Sequence, residues 1–311
     1  MQVIPIVDLG ELGLDNSTKC EPSEEEWQRV SKEIRDAFTD IGFLYLTNHG
    51  IAQDLIDKVF SAAGEFFSLD AATKTRYSRG VQSIQGYTGP DQERLSEVQG
   101  VHELRESFDV HTLTGTFPDA EVAGLRPAVE EFLNRCHLVS LSLLTALALA
   151  LGLEKYYFLK RHRRIKSDDN ASCLRLLYYQ ALPDHDGDSD STTTRCGAHT
   201  DYGTMTLLFQ DQSGGLEVKD RAGSWVNAPP IPGAILVNAG DILQFWTADR
   251  FIATEHRVLL SGPRAAPRQS MALFVHPDGD VIVSPIDGSD AYTPVVAKEH
   301  TRKRFEDTYT Q

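Results

Sequence analysis

Apolar positions early in the chain fall into two alternating rhythms. Trp27, Val30, Ile34, Ala37 and Phe38 share one face at helical spacing. Residues 23–39 open with a capping serine and Glu24, Glu25 and Glu26, which is a helix-start signature. Residues 54–67 predict a second amphipathic helix. IPIVDL at 4–9 and GFLYLTNHG at 42–50 predict the strands around them. Residues 78–125 are rich in Gly and polar residues, with ESFDV at 106–110 a short strand candidate. A long apolar helix is expected from about 127 to 151. The texture then changes to short β-like runs cut by Gly, Pro and Asp: CLRLLYYQAL, TMTLLFQ, LEVKD, SWVNAPP, AILVNAG, DILQFW, HRVLL and SMALFVHP. Many short strands between turn signals predict an antiparallel sandwich or jelly roll at about 170–285. The tail, about 295–309, returns to a helix. The expected fold is mainly β with flanking α. Residues 1–125 form an N-terminal buttress, and 126–311 hold the long helix, the β core and a C-terminal helix, in one integrated unit.

The uncharged stretch LVSLSLLTALALALGL at 138–153 precedes a basic run, KRHRRIK at 160–166, and so mimics a stop-transfer signal. It is shorter than the ~20 residues a span needs and contains Ser140, Ser142, Thr145 and Gly152. It also continues a helical pattern through Glu130, Glu131 and Arg135, so a buried core helix and no membrane partner are expected. The 311 residues suit one large domain, and 41% apolar content supports a substantial core. A formal charge of −15 repels phosphate backbones, which argues against nucleic acid as a partner. An anionic ligand would need local positive charge. The N-terminus shows no basic n-region or long apolar h-region. Cys20, Cys136, Cys173 and Cys196 form no C-x-x-C pair, which predicts reduced thiols in a cytoplasmic protein. No feature assigns an oligomeric state.

Chemistry concentrates in the β region. In His199-Thr200-Asp201, residues two apart would converge if the segment is a strand. His256, in a later strand-like segment, can supply a third donor. Two His and one carboxylate on one side of a metal, with the other side open, form the facial triad of non-haem Fe(II) oxygenases. The open positions admit a bidentate co-substrate and O₂. Arg268, Ser270, Ala272 and Phe274 would share one strand face. Arg268 beside the Ser270 hydroxyl is a carboxylate clamp suited to the distal end of a 2-oxo acid. Arg264 competes for this role but sits among Gly and Pro, outside the strand context.

At these residues the chain resembles the isopenicillin N synthase-like group of Fe(II)/2-oxoglutarate-dependent dioxygenases. The resemblance is carried by His199-Thr200-Asp201, NAGDILQFW at 238–246, T-x-H-R-V at 254–258 and R-x-S at 268–270. IPIVDL, GFLYLTNHGI, GEFFSL and ESFDV match in the N-terminal half, in the expected order. The resemblance implies a double-stranded β-helix core. It implies His199, Asp201 and His256 as iron ligands, and Arg268 and Ser270 as binders of the 2-oxoglutarate distal carboxylate. Tyr179 matches a tyrosine that assists there, although Gln180 stands where many relatives have proline and Leu177 where some have asparagine. The implied reaction consumes O₂ and 2-oxoglutarate, releases succinate and CO₂, and hydroxylates, desaturates or cyclises a small molecule. A same-fold iron oxidase that does not use 2-oxoglutarate is the alternative, followed by a catalytically silent binding protein.

Other signals are subsidiary. Arg175 lies on the strand face of Tyr179, and a buried Arg needs an anionic partner. It would anchor an acidic group of the substrate, support the co-substrate, or form a structural salt bridge. Phe108, Asp109 and Phe274 are further candidates for the pocket wall. The acidic loop at 184–190 fails the calcium-loop pattern, with Ser189 and Arg195 where glycine and glutamate belong, and reads as solvated. The basic run reads as a solvated connector, partly cancelled by Asp168 and Asp169.

Overall fold

Alternation along the strands decides the architecture, because one face of the larger sheet meets helices and the other meets a second sheet. The computed structural model describes residues 3–17, 21–80, 85–90, 92, 102–103, 105–181, 193–259 and 266–309. With strands numbered along the chain, the larger sheet runs in spatial order β1 (Ile6–Asp8), β2 (Phe43–Thr47), β12 (Ile235–Ala239), β9 (Met205–Gln210), β14 (Arg268–Val275), β6 (Cys173–Tyr179), β5 (Arg105–Val110) and β3 (Gly86–Thr88). The smaller sheet is β11 (Trp225–Asn227), β10 (Leu216–Lys219), β13 (His256–Val258) and β8 (Cys196–His199). Two ribbons pair β15 (Ile282–Val283) with β16 (Val295–Val296) and β4 (His102–Glu103) with β7 (Thr193–Thr194). The two main sheets face each other as the halves of a jelly roll. N-terminal strands and strands of the β core share the larger sheet.

The helices are α1 (Leu14–Ser17), α2 (Glu24–Asp40), α3 (Gln53–Phe67), α4 (Ala71–Thr75), α5 (Leu125–Ala150), α6 (Asp241–Trp246) and α7 (Ala297–Tyr309). Ser23 caps α2 by accepting from the Glu26 N–H, and the apolar stripe Trp27, Val30, Ile34 and Phe38 is buried, as its spacing predicts. The chain leaves α2 through Gly42 at φ +73; a Cβ there would lie 2.2 Å from the Ile252 carbonyl oxygen. Outward-facing Met271, Leu273 and Val275 join α2, α3 and α5 in the main core. Phe132 of α5 meets Phe209 edge-on at 4.8 Å, and Phe67 of α3 stacks on Tyr178 at 5.4 Å. A second apolar cluster, including Phe43, Leu177 and Val258, fills the space between the sheets.

α5 is long and apolar enough to cross a membrane, yet 56% of its most apolar stretch is buried inside the fold. Ser140 and Thr145 sit inside because their hydroxyls donate to the carbonyls of Cys136 and Leu141 one turn back. Two element predictions need correction. DILQFW is helix α6, not a strand: Ile242, Leu243 and Trp246 are buried at helical spacing after the cap at Gly240. The tail forms the short strand β16 before α7 begins at Ala297.

The basic run is a salt-bridged connector. Lys160 pairs with Glu154 at 3.0 Å and Arg164 with Asp169 at 2.6 Å. His162 within it is buried, its Nδ1 2.7 Å from the Phe158 carbonyl and its Nε2 2.8 Å from Thr204 Oγ1. Burial pushes its pKa down from 6.5 to about 4. The unfolded chain therefore takes up this proton first as pH falls below 6.5. Stability is expected to fall through the window from 6.5 to about 4, by about 3 kcal/mol from this residue. Denaturant melts of the wild type and His162→Gln across that range check it; the variant should show a shallower slope.

Candidate active site

Strand parity selects the residues that face the space between the sheets. Arg268, Ser270, Ala272 and Phe274 of β14 line one cavity, as do Cys173, Arg175, Leu177 and Tyr179 of β6. Arg105 and Asp109 of β5 join them, opposite His199, Asp201 and His256. The cavity encloses about 120 Å³.

His199 ends β8 and His256 opens β13, and antiparallel register sets the two side by side. Their rings are 4.3 Å apart, and Phe43 packs edge-on against His256 at 5.4 Å. Each Nδ1 is turned to a backbone carbonyl: His199 to Gly197 at 2.9 Å and His256 to Thr254 at 3.1 Å. That leaves both Nε2 atoms facing Asp201 Oδ1, at 3.9 and 3.8 Å. The other carboxylate oxygen, Oδ2, accepts from Thr206 Oγ1 at 2.5 Å and Asn238 Nδ2 at 2.8 Å. Three donors lie within 4.8 Å of one another with their remaining hydrogen-bonding capacity satisfied from behind, which fits one metal ion on an open face. Burial lowers the His256 pKa to about 4, so its ring stays neutral and its lone pair available.

The strand argument for His199 and Asp201 is corrected in detail. β8 stops at His199, so Asp201 is aimed by the following turn. Close packing fixes that turn. A Cβ on Gly240 would lie 2.3 Å from the Gly203 carbonyl oxygen, and one on Gly203 would lie 2.5 Å from that of Val275. The Asp241 N–H donates to the Asp201 carbonyl at 2.7 Å. Arg304 of α7 pairs with Asp241 at 3.1 Å and donates to Thr200 Oγ1 at 3.2 Å.

Arg268 is 1% exposed. Its guanidinium donates to the Gly214 carbonyl, Ser270 Oγ and Gln210 Oε1 at 3.0 to 3.1 Å and lies 4.9 Å from the Tyr179 ring centroid. These partners are neutral, so a buried positive charge is presented to the cavity. Burial raises the Tyr179 pKa, keeping the hydroxyl protonated as a donor. Gln180, in the position where proline was noted, donates to Glu106 at 2.7 Å. Arg264, Cys20 and the loop 184–190 lie outside the described residues.

Arg175 faces the cavity and forms a bidentate pair with Asp109, Nε to Oδ1 at 2.7 Å and Nη2 to Oδ2 at 2.8 Å. Phe274 is on the same wall, its ring centroid 6.0 Å from the guanidinium. Phe108 is a correction. It points away from the cavity into the main core, edge-on to Phe66 at 4.9 Å, because its neighbour Asp109 takes the inward parity. The sequence reading missed Thr206, Asn238, Arg105, Arg79, Tyr202 and Phe305 at the cavity. Parity in TMTLLFQ and AILVNAG would have pointed to Thr206 and Asn238.

Comparison with known proteins decides the class. Residues 170–277 match the family model of the 2OG-Fe(II) oxygenase superfamily, and residues 4–127 match that of the non-haem dioxygenase in morphine synthesis N-terminal region. The chain belongs to the 2OG-Fe(II) oxygenase superfamily. UPF0676 protein C1494.01 of Schizosaccharomyces pombe is 36% identical over 92% of this chain and 91% of its own. The 2-oxoglutarate-Fe(II) type oxidoreductase ppzD of Metarhizium rileyi is 32% identical, covering 88% and 82%. The crystal structure of a full-length Neurospora crassa protein in complex with alpha-KG, which is 2-oxoglutarate, superposes with a TM-score of 0.85 at 27% identity, covering 97% of this chain and 95% of that one. The same Neurospora crassa protein has also been solved with alpha-KG and thymine. The oxygenase described here uses Fe(II), O₂ and 2-oxoglutarate, releases succinate and CO₂, and oxidises a small molecule. Dependence on 2-oxoglutarate is favoured over the same-fold oxidase.

Proposed function

We propose that His199, Asp201 and His256 hold the iron, and that Arg268, Ser270 and Tyr179 hold the distal carboxylate of 2-oxoglutarate. Arg175 and Phe274 wall the substrate. One observation carries the reading: three donor atoms converge while every competing atom of the same side chains is already engaged. Bound there, Fe(II) supplies activation of O₂ for oxidative decarboxylation and attack on a substrate C–H bond. The protein contributes position. Thr206 and Asn238 orient Asp201, Arg268 sets the direction of the co-substrate, and the two sheets exclude water.

The substrate wall pairs the aromatic faces of Phe274, Tyr202 and Phe305 with the polar edge of Arg175 and Asp109. That combination suits a compact molecule with an apolar or planar body and an acceptor group turned to Arg175. The Neurospora crassa protein solved with thymine supports a small-molecule substrate of this size. Among the described residues Cys136, Cys173 and Cys196 form no disulfide, which supports a cytoplasmic location.

The test is an anaerobic screen of metabolite pools against the Fe(II)·2-oxoglutarate complex, followed by O₂ and mass spectrometry. A substrate gains one oxygen or loses two hydrogens and stimulates succinate release. Failure of every pool to raise succinate above the uncoupled background contradicts a common-metabolite substrate. Arg175→Ala is expected to raise KM for the compound found by roughly ten-fold, the scale of one charge-assisted hydrogen bond. An unchanged KM would reduce Arg175 to a structural partner of Asp109.

A further inference from the structure

Two of the three proposed iron ligands are built into a strand ladder, and the third is not. His199 and His256 are register partners across β8 and β13, whereas residues 200–204 connect β8 to β9 outside any strand. A connection without ladder hydrogen bonds takes its rigidity from what packs on it. The start of α6 supports the Asp201 turn through the backbone. The Asp241 N–H donates to the Asp201 carbonyl at 2.7 Å, and the Ile242 N–H to that of Gly203 at 3.1 Å. Side chains support the same turn from α7.

Ala297, Thr301, Arg304 and Phe305 recur at i, i+4, i+7 and i+8 and so share one face of α7. Ala297 and Thr301 are buried, and Phe305 lines the cavity. Thr301 Oγ1 lies 3.5 Å from His276 Nδ1. Arg304 meets the residues on both sides of Asp201. Its Nη2 donates to Thr200 Oγ1 at 3.2 Å and pairs with Asp241 Oδ2 at 3.1 Å, and its guanidinium carbon lies 4.5 Å from the Tyr202 ring centroid. Tyr202 in turn meets Phe305 edge-on at 5.9 Å. The planar fork of a guanidinium can serve a hydroxyl, a carboxylate and an aromatic face at once, which the point charge of an ammonium cannot. One side chain of α7 thus ties together the residue before Asp201, the residue after it and the residue whose N–H holds it.

We propose that Arg304 is a positioning residue for the metal site: docked through it, α7 holds the Asp201 turn, and with it the Asp201 carboxylate, in line with His199 and His256. Without Arg304 the turn is left to α6 and to Thr206 and Asn238 behind the carboxylate. Asp201 Oδ1 then faces both Nε2 atoms for a smaller share of the time, and Fe(II) is held less tightly. The inference rests on the reading that Asp201 is an iron ligand.

The experiment is anaerobic calorimetric titration of the metal-free enzyme with Fe(II) alone, without co-substrate or O₂. Arg304→Gln, which keeps the length of the side chain but not its charge, should raise the Kd about ten-fold, the lower end of the range for groups that orient a metal ligand. Arg304→Lys should fall between that variant and the wild type, because it restores the charge but not the fork. Asp241→Asn keeps the backbone N–H and should weaken iron as Arg304→Gln does. The double variant should be little weaker than either single one, since the two side chains act as one pair. Arg302→Ala is the control, because Arg302 pairs with Glu306 within α7; it should leave the Kd unchanged. Circular dichroism and a thermal melt check folding of each variant. Wild-type iron affinity in folded Arg304→Gln, beside lost affinity in Asp201→Ala, overturns the proposal and leaves the ligand assignment standing. Fully additive losses in the double variant overturn it by separating Arg304 from Asp241. An equal loss in Arg302→Ala overturns it by tracing the effect to fraying of α7 at large. If Asp201→Ala binds iron as the wild type does, the underlying reading fails and the proposal fails with it.

Discussion

Asp201→Ala is expected to abolish 2-oxoglutarate-dependent oxygen consumption, leaving the rate of enzyme without iron. In the proposed site the carboxylate would supply the one anionic donor of the set, and its loss would leave only two imidazoles to hold a divalent ion. Replacing the groups behind it tests the same geometry more gently. Asn238→Ala or Thr206→Val frees Asp201 Oδ2 to rotate, because these residues make its 2.8 and 2.5 Å hydrogen bonds. Outer partners of this kind are worth roughly 10- to 100-fold in metal affinity. An oxygen electrode with saturating Fe(II) and 2-oxoglutarate should separate the two cases. Asp201→Ala stays silent at any iron concentration, whereas the Asn238 and Thr206 variants recover as iron is raised. Full activity of Asp201→Ala would contradict the assignment.

Glu106→Ala is expected to cost about 3–5 kcal/mol of stability, the scale of breaking a buried ion pair by removing one partner. Glu106 is 1% exposed and lies on the side of β5 turned away from the cavity. It receives Lys74 Nζ at 2.5 Å, the Tyr87 hydroxyl at 2.6 Å and Gln180 Nε2 at 2.7 Å. Without it, Lys74 keeps one bond to the Phe67 carbonyl and a charge with no counter-ion in the core. The melting temperature should drop by roughly 10 °C for a chain of this size. The double variant Lys74→Met/Glu106→Leu should recover most of that loss, since replacing both charges by apolar groups removes the desolvation cost as well. Thermal melts of the three proteins check this. A single variant as stable as the wild type would show that the pair contributes nothing. The effect reaches the site, because the same strand presents Arg105 and Asp109 on its other face.

Much of the site was legible in the chain because its residues lie on strands with one apolar side. Arg268, Ser270, Ala272 and Phe274 share a face by parity alone, and the intervening Met271, Leu273 and Val275 anchor that face against the helices. Parity failed at ESFDV for a physical reason. Both sides of β5 are buried, so alternation carries no inside-or-outside signal, and Phe108 could not be told from Asp109. DILQFW is a short apolar run of the kind that periodicity assigns poorly. It becomes a helix because the strand before it ends where the Asp201 turn packs against Gly240. Asp201 itself was found for a partly mistaken reason: the turn and its glycines aim it, and the strand does not. Arg105 and the brace from Arg304 are long-range juxtapositions. Only the assembled sheets bring them to Tyr179 and Thr200.

The central claim is that His199, Asp201 and His256 together hold one Fe(II). Anaerobic Fe(II) titration of the wild type beside His199→Ala and His256→Ala, with bound iron measured after gel filtration, tests it most directly. The account predicts one equivalent of iron per wild-type chain and a loss of retained iron in both variants, with circular dichroism unchanged. A full equivalent retained by either variant would contradict it.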